Sequence, residues 1–186
     1  MRIIAGKAKG LRLKAPKGYA TRPTADRVKE AMFNVIQGRE TGALVLDLFA
    51  GTGALGLEAL SRGAGKAVFV ETNPVTRQVL AANIAKAGMA AQATVVKMDA
   101  LSFLRSYEGG AFDLIFMDPP YDYDNEISVQ VLDAIAEKQL LSPGGLIIWE
   151  RSNRNPSFQP VSGFKLVKEK HYGDTVLLFI EQIKEE

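Results

Sequence analysis

The sequence has 186 residues, a length typical of one domain, and 47% of them are hydrophobic, which is enough to form a full core. It contains no apolar run long enough to span a membrane and no amino-terminal stretch that resembles a signal peptide, so we expect a cytoplasmic protein. There is no cysteine and only one histidine, which excludes disulfides and thiolate metal sites and argues against any metal centre. The net charge is only +2, yet residues 1–40 hold ten Lys/Arg and three Asp/Glu, so the rest of the chain is net acidic.

Residues 1–42 are predicted to form a basic extension of their own. The stretch "RIIAGKAKGLRLKAP" alternates and turns at Gly6–Gly10, as a β-hairpin does. The stretch "TRPTADRVKEAMFNVI" predicts a helix capped by Thr24, with an apolar face at positions 28, 32, 35 and 36. The charge asymmetry indicates a polyanion contact at this end of the chain, and a solvated basic arm is the simpler alternative.

Residues 43–186 alternate between strand-like and helix-like segments. The predicted strands are 43–49, 66–71, 93–98, 112–118 and 145–150, and the predicted helices are 53–63, 73–88, one near 100–107, and 126–138. Two further strands flank the turn "HYGD" near the carboxyl terminus. Repeated strand–helix units predict an α/β fold: a mixed, mostly parallel, seven-stranded sheet with helices on both faces. We expect residues 1–42 to pack on this core, residues 43–186.

Acidic residues close four of the predicted strands. They are Asp47, Glu71, Asp99 and Asp118. Because ligands of parallel α/β sheets bind outside the carboxyl ends of the strands, four acids along one edge predict a polar ligand there.

A glycine motif, Gly51-x-Gly53-x-x-Gly56, lies between the first strand and helix of this core. Such glycines permit a tight turn and a close approach of backbone to a ligand. Glu71 follows 20 residues after Gly51, where an acid binds ribose hydroxyls in dinucleotide folds. The motif alone does not separate a nicotinamide dinucleotide from S-adenosylmethionine, but Asp47 would repel a pyrophosphate and attract the ammonium group of S-adenosylmethionine.

The tetrapeptide Asp118-Pro119-Pro120-Tyr121 follows the fourth strand. Proline fixes φ and lacks an N–H, so this corner is stiff and rich in free acceptors. The Asp118 carboxylate and the Pro119 carbonyl can accept from the two hydrogens of an exocyclic base amine, and Tyr121 offers a face for stacking. We therefore predict amino-group methylation, with positioning as its main source of catalysis.

Taken together, the segments "DLFAGTGALGLEA", "VET", "DPPY" and "RPTADRVKEAMFN" resemble the bacterial guanine-N2 methyltransferases of small-subunit ribosomal RNA (the RsmD-like family). The resemblance covers nearly the whole chain, and the last segment is its most specific part. It implies a Rossmann-like class I methyltransferase that uses S-adenosylmethionine to modify ribosomal RNA or an assembling small subunit. We expect a monomer, although the sequence itself does not fix the oligomeric state.

The same resemblance implies roles for individual residues. It places the cofactor against Asp47, Phe49, Ala50, Gly51, Gly53, Glu71, Thr72, Asp99 and Ala100, and it makes Asp118, Pro119, Pro120 and Tyr121 the catalytic loop. The basic extension would supply the RNA contacts: Arg2, Lys7, Lys9, Arg12, Lys14, Arg22 and Arg27.

Several alternatives stay open at this point. The enzyme could instead methylate DNA adenine or cytosine, another RNA, or a glutamine amide. A non-enzymatic alternative is an RNA-binding module with an inactive cofactor site, and a nicotinamide oxidoreductase is more distant. His171 is expected at the surface and Trp149 in the core, neither with a catalytic role.

Overall fold

The computed structural model describes residues 1–16, 23–120, 125–154 and 163–183. The helices are α1 (Pro23–Val35), α2 (Ala54–Ser61), α3 (Pro74–Lys86), α4 (Ala100–Ser106) and α5 (Asn125–Glu137). The strands are β1 (Leu44–Asp47), β2 (Lys66–Val70), β3 (Ala93–Val96), β4 (Phe112–Met117), β5 (Leu141–Ser152), β6 (Phe164–Tyr172) and β7 (Thr175–Gln182). A short 3₁₀ turn spans Ala90–Gln92.

The seven strands form one sheet in the order β3-β2-β1-β4-β5-β7-β6. The pairs β2–β3, β1–β2, β1–β4 and β4–β5 are parallel, whereas β7 is antiparallel to both β5 and β6. The predicted mixed, mostly parallel sheet is therefore confirmed. From β1 the chain moves outward to β2 and β3 and then returns to place β4 on the other side of β1. The carboxyl ends of β1 and β4 thus flank a topological switch point, where ligands bind in open α/β sheets.

Helices cover both faces of the sheet. On one face, Phe33 of α1, Leu57 of α2 and Leu80 of α3 are fully buried in a single apolar cluster. On the other face, Phe103 of α4 and Leu132 of α5 belong to a second cluster. The apolar face predicted for α1 packs into the first cluster. Its residues recur with helical spacing, so they lie on the one side of the helix that faces the sheet.

Local signals in the sequence predict most element boundaries to within two residues, whereas the cap of α1 and the start of β5 differ in the structure. Asn73 caps α3 as its position suggests, accepting hydrogen bonds from the N–H groups two and three residues later. Helix α1 begins at Pro23, so Thr24 lies inside the first turn and is not the N-cap; proline suits this first position because its missing N–H would have no helical partner. Strand β5 begins at Leu141, four residues before the prediction, because Leu141 pairs with β4 across an irregularity in register.

The amino-terminal segment, residues 1–16, folds back on itself around the predicted turn, but its paired part is short. One antiparallel bridge, Arg2↔Arg12, is flanked by backbone hydrogen bonds between residues 3 and 11 at 2.9 Å and between residues 13 and 1 at 3.1 Å. The N–H groups of Ile4 and Ala5 donate to the Glu58 carboxylate of α2 at 2.7 and 3.0 Å. The predicted hairpin is therefore present as a short pairing, and α2 satisfies the backbone that follows it.

Glu58 is the centre of a buried charge cluster between α1, α2 and the amino-terminal segment. Its side chain is 0% exposed and accepts from Arg62 at 2.7 Å, and the Lys29 ammonium lies 3.2 Å away. Lys29 also donates to the Arg2 carbonyl at 2.6 Å. Burial lowers the pKa of Lys29, while the charge of Glu58 opposes that shift.

No helix in the described ranges has the length and apolar character needed to cross a bilayer. Within the same ranges, no group of three or more His, Asp or Glu side chains is arranged to hold a metal ion.

Candidate active site

A cavity of about 610 Å³ opens at the carboxyl ends of the central parallel strands. Its walls come from the ends of β1, β2 and β4, from the loop that precedes α4, and from Met1 and Pro16 of the amino-terminal segment. All four acids predicted to share an edge, Asp47, Glu71, Asp99 and Asp118, line this cavity. Strand polarity brings them together although 71 positions separate the first from the last.

The three motif glycines serve different purposes. Gly51 has φ +53° and lines the cavity, with only one atom near the position a Cβ would take, 3.9 Å away. Gly53 has φ +83° and lies behind the loop, where a Cβ would come within 2.4 Å of Leu80. Gly56 has no room either, because a Cβ there would meet the Phe69 ring at 2.3 Å. Only Gly51 therefore faces the ligand space, and the predicted cofactor contact of Gly53 stays a prediction.

Asp47 closes β1 and is 1% exposed. One carboxylate oxygen accepts from the N–H of Gly56 at 3.0 Å, which points the carboxyl at the first turn of α2. Burial raises the pKa of Asp47 to about 7; the Gly56 hydrogen bond opposes this rise, and the charges of Asp118 and Glu71 add to it. Ionisation of Asp47 therefore costs free energy in the free protein, and a cation bound beside the carboxylate would lower that cost.

Glu71 ties the glycine loop to the end of β2. One oxygen accepts from the N–H of Gly51 at 3.0 Å and the other from the N–H of Asn73 at 2.7 Å. Each carboxylate oxygen can accept a second hydrogen bond, so this acid is held in place and retains acceptor capacity for hydroxyl groups.

The remaining predicted cofactor residues surround the same space. The cavity is also lined by Phe49, Ala50, Thr72, Asp99 and Ala100. Asp99 caps α4 by accepting from the N–H of Ser102 at 2.9 Å, and the hydrogen bonds from Ser102 lower its pKa.

Asp118, Pro119 and Pro120 form the wall on the β4 side, whereas Tyr121 lies outside the described residues. Asp118 is exposed in the cleft. Desolvation by the surrounding protein raises the pKa of its carboxyl.

Glu150, two residues before the end of β5, is a further acid near Asp118 that the sequence analysis passed over. Met117 and Trp149 pair in register on β4 and β5, so Asp118 and Glu150 follow them side by side. Burial, followed by the negative charge of Asp118, raises the pKa of Glu150. The signal was present in the sequence, since "GLIIWE" ends in an acid like the other strands.

The cavity wall is acidic: none of its described residues is lysine or arginine. The basic residues lie outside it. Lys9, Arg12, Lys14 and Arg27 are exposed and form no ion pair with any residue in the described ranges. Two other predicted RNA contacts have partners within the protein: Arg2 pairs with Asp26 at 3.6 Å, and Lys7 donates to Gln92 at 2.5 Å. Arg22, also predicted to contact RNA, lies outside the described ranges.

The two aromatic side chains set aside by the sequence analysis lie where expected. Trp149 is 4% exposed within the second apolar cluster. His171 is exposed on β6, where its Nε2 lies 2.7 Å from the Glu169 carboxylate. The predicted turn begins two residues after His171.

Comparisons with known proteins find a matching family and relatives that are similar over nearly the whole chain. The family model described as Conserved hypothetical protein 95 matches residues 1–181. The Bacillus subtilis protein YlbH is 38% identical over 178 residues, which cover 94% of this chain and 95% of the relative. Ribosomal RNA small subunit methyltransferase D of Haemophilus influenzae is 35% identical over 93% of this chain and 89% of its own length. The solved structure of the Escherichia coli protein yhhF superposes with a TM-score of 0.86 at 34% identity, covering 98% of this chain and 97% of that one.

Proposed function

The chain belongs to the Conserved hypothetical protein 95 family, and from this membership we propose that it transfers a methyl group from S-adenosylmethionine to the exocyclic N2 amine of a guanine in small-subunit ribosomal RNA. Its relative in Haemophilus influenzae is named for methylation of small-subunit ribosomal RNA, which supports RNA as the substrate. The choice of guanine N2 rests on the sequence resemblance and on the acceptors of the Asp-Pro-Pro corner.

The acidic wall of the cavity is the observation that carries this proposal. S-adenosylmethionine has a sulfonium, an ammonium group and ribose hydroxyls, all of which suit carboxylates, whereas a dinucleotide brings a pyrophosphate that carboxylates repel. Asp47 would accept from the ammonium group and Glu71 from the ribose, and the apolar residues beside Asp99 would border the adenine. The donor set and the volume both fit, since small-ligand sites span about 300–1,000 Å³.

The bound cofactor supplies a methyl group activated by sulfonium, and the protein prepares the amine that receives it. A guanine amine is a poor nucleophile because its lone pair is delocalised into the ring. Asp118 and the Pro119 carbonyl would each accept one amine hydrogen, favouring a pyramidal nitrogen with its lone pair facing the cavity. The cofactor would give up its methyl group and leave as a neutral thioether, and the Asp118 carboxylate would accept the proton that the methylated nitrogen loses and pass it on to water.

The exposed basic residues of the amino-terminal region would hold the RNA. Lys9, Arg12, Lys14 and Arg27 are exposed, and cations of this kind bind phosphates with an affinity that falls as salt rises. A guanine in structured RNA must leave its stack to reach a pocket, as base-modifying enzymes require.

Substitution of Asp118 tests the catalytic role. Asp118→Ala is expected to lower kcat by about 10²–10⁴-fold, the usual contribution of a positioned proton acceptor, while the affinity for S-adenosylhomocysteine changes little. Asp133→Asn, an exposed carboxylate on α5, is the matched control and should retain full turnover. Turnover in Asp118→Ala equal to that of the control would remove Asp118 from the chemistry.

The substrate itself is tested with a labelled methyl donor and four acceptors: small-subunit RNA from cells lacking this protein, assembled subunits from those cells, duplex DNA and protein. Label on a mapped guanine N2 of the RNA supports the proposal. Label on DNA or a glutamine amide would support the corresponding alternative methyltransferase, and absence of both cofactor binding and label would leave only an RNA-binding module.

A further inference from the structure

Asn83 connects the amino-terminal segment to the glycine loop through one buried side chain. It lies on α3 and is 0% exposed. Its Nδ2 donates to the carbonyl of Lys14 at 3.0 Å and to the carbonyl of Thr52 at 2.9 Å. Its Oδ1 accepts from the N–H of Lys14 at 2.8 Å.

We infer that Asn83 is a positioning residue that couples RNA binding at Arg12 and Lys14 to methyl-donor binding at the glycine loop. The inference rests on the proposed function, because it takes RNA phosphates as the ligands of those two residues and S-adenosylmethionine as the ligand of the loop.

The chemistry of the amide suits a connection of this kind. An asparagine side chain has two N–H donors and one carbonyl acceptor, and here both donors and the acceptor are used. Aspartate would oppose two carbonyls with acceptors, and alanine would leave three part-buried backbone groups without these partners. Because the Asn83 side chain itself is fully buried, its loss removes partners that lie inside the protein.

Both ends of the connection lie beside a binding surface. Thr52 lines the cavity between two of the motif glycines, and Pro16, two residues after Lys14, lines the same cavity. The Lys14 side chain is exposed while its main chain is held by Asn83. A phosphate that orders Lys14 therefore restrains the main chain on one side of the amide, and the loop carbonyl on the other side shares that restraint.

Coupling of this kind is reciprocal: if RNA raises the affinity for the donor by some factor, the donor raises the affinity for RNA by the same factor. Couplings between two sites typically amount to about 5–150-fold, so an effect of fivefold or more is the expectation here.

Lys86 provides a matched control on the same helix. Its ammonium donates to the Arg12 carbonyl at 2.7 Å, so it fastens the same segment to α3 without contacting the glycine loop. Lys86→Met should loosen the segment and weaken RNA binding, yet leave the connection through Asn83 intact.

Calorimetry with S-adenosylhomocysteine, with and without small-subunit RNA from cells lacking the protein, measures the coupling directly. For the wild type we expect RNA to lower the Kd of S-adenosylhomocysteine at least fivefold. The factor should fall to about one in Asn83→Ala and persist in Lys86→Met. A factor near one in the wild type, an unchanged factor in Asn83→Ala, or an equal loss in both variants would overturn the inference.

Hydrogen exchange on the wild type keeps the test informative if Asn83→Ala does not fold. S-adenosylhomocysteine alone should slow exchange of the Lys14 N–H, which donates to Asn83, more than that of the Leu11 N–H, which donates to the Ala8 carbonyl. Equal responses of the two amides contradict the connection. Methyl transfer to the same RNA is scored separately: no transfer counts against the proposed function, whereas transfer without coupling counts against the role of Asn83 alone.

Discussion

We expect Asp47 to make the affinity for S-adenosylmethionine dependent on pH. In the free protein, burial raises the pKa of this carboxyl to about 7, so much of the population is protonated at pH 6. An ammonium group bound beside it would favour the ionised form and return the pKa towards its ordinary value. Binding below pH 7 therefore requires the loss of a proton, and affinity should increase as the pH rises.

The size of the effect follows from that pKa. The observed Kd is the Kd for fully ionised Asp47 multiplied by the ratio of total to ionised Asp47. For a pKa of about 7, this ratio is about 11 at pH 6 and about 1.1 at pH 8. S-adenosylhomocysteine should therefore bind about tenfold more tightly at pH 8 than at pH 6, and at pH 6 it should release about 0.9 proton.

Calorimetry in two buffers of different ionisation enthalpy measures both quantities. Asp47→Asn is the control, because its amide keeps the shape of the carboxyl but does not titrate, so any remaining pH dependence belongs to the ligand or to other groups. Equal affinities at the two pH values in the wild type, or the same slope in Asp47→Asn, would refute the assignment of Asp47 to the ammonium group.

Two further predictions concern stability and RNA binding. Glu58→Ala should lower the free energy of unfolding by about 3–5 kcal/mol, because it leaves the buried Lys29 ammonium without its carboxylate; chemical denaturation measures the loss, and the exposed Glu30→Ala should cost far less. A comparable loss in both variants would contradict the buried charge cluster. Lys14→Gln should weaken RNA binding and reduce the slope of log affinity against log salt by about 0.7–0.9, whereas Lys165→Gln on the edge strand should leave the slope unchanged. Filter binding over a salt series tests this, and an unaltered slope in Lys14→Gln would remove that residue from the RNA contacts.

Local chemistry in the sequence determined most of the framework. Apolar runs of strand length, separated by segments with helical spacing, predict the parallel sheet because burial on both faces demands such runs. Asn73 followed by Pro74 predicts the start of α3, because capping and the missing proline N–H act within a few residues. The shared edge of the four acids also follows from the sequence, since all parallel strands end on the same side.

Only the tertiary structure shows which backbone groups form hydrogen bonds with which side chains. The amino-terminal segment pairs as a short hairpin at Arg2 and Arg12, but its next two N–H groups donate to Glu58, more than 50 residues away. The motif does not reveal why Gly53 and Gly56 are glycine, whereas the structure shows that a Cβ at these positions would clash with Leu80 and Phe69. The protonation of Asp47 likewise depends on burial that no local pattern encodes. Periodicity and capping are properties of adjacent residues, whereas hydrogen-bond partners and desolvation depend on which distant groups the fold brings into contact.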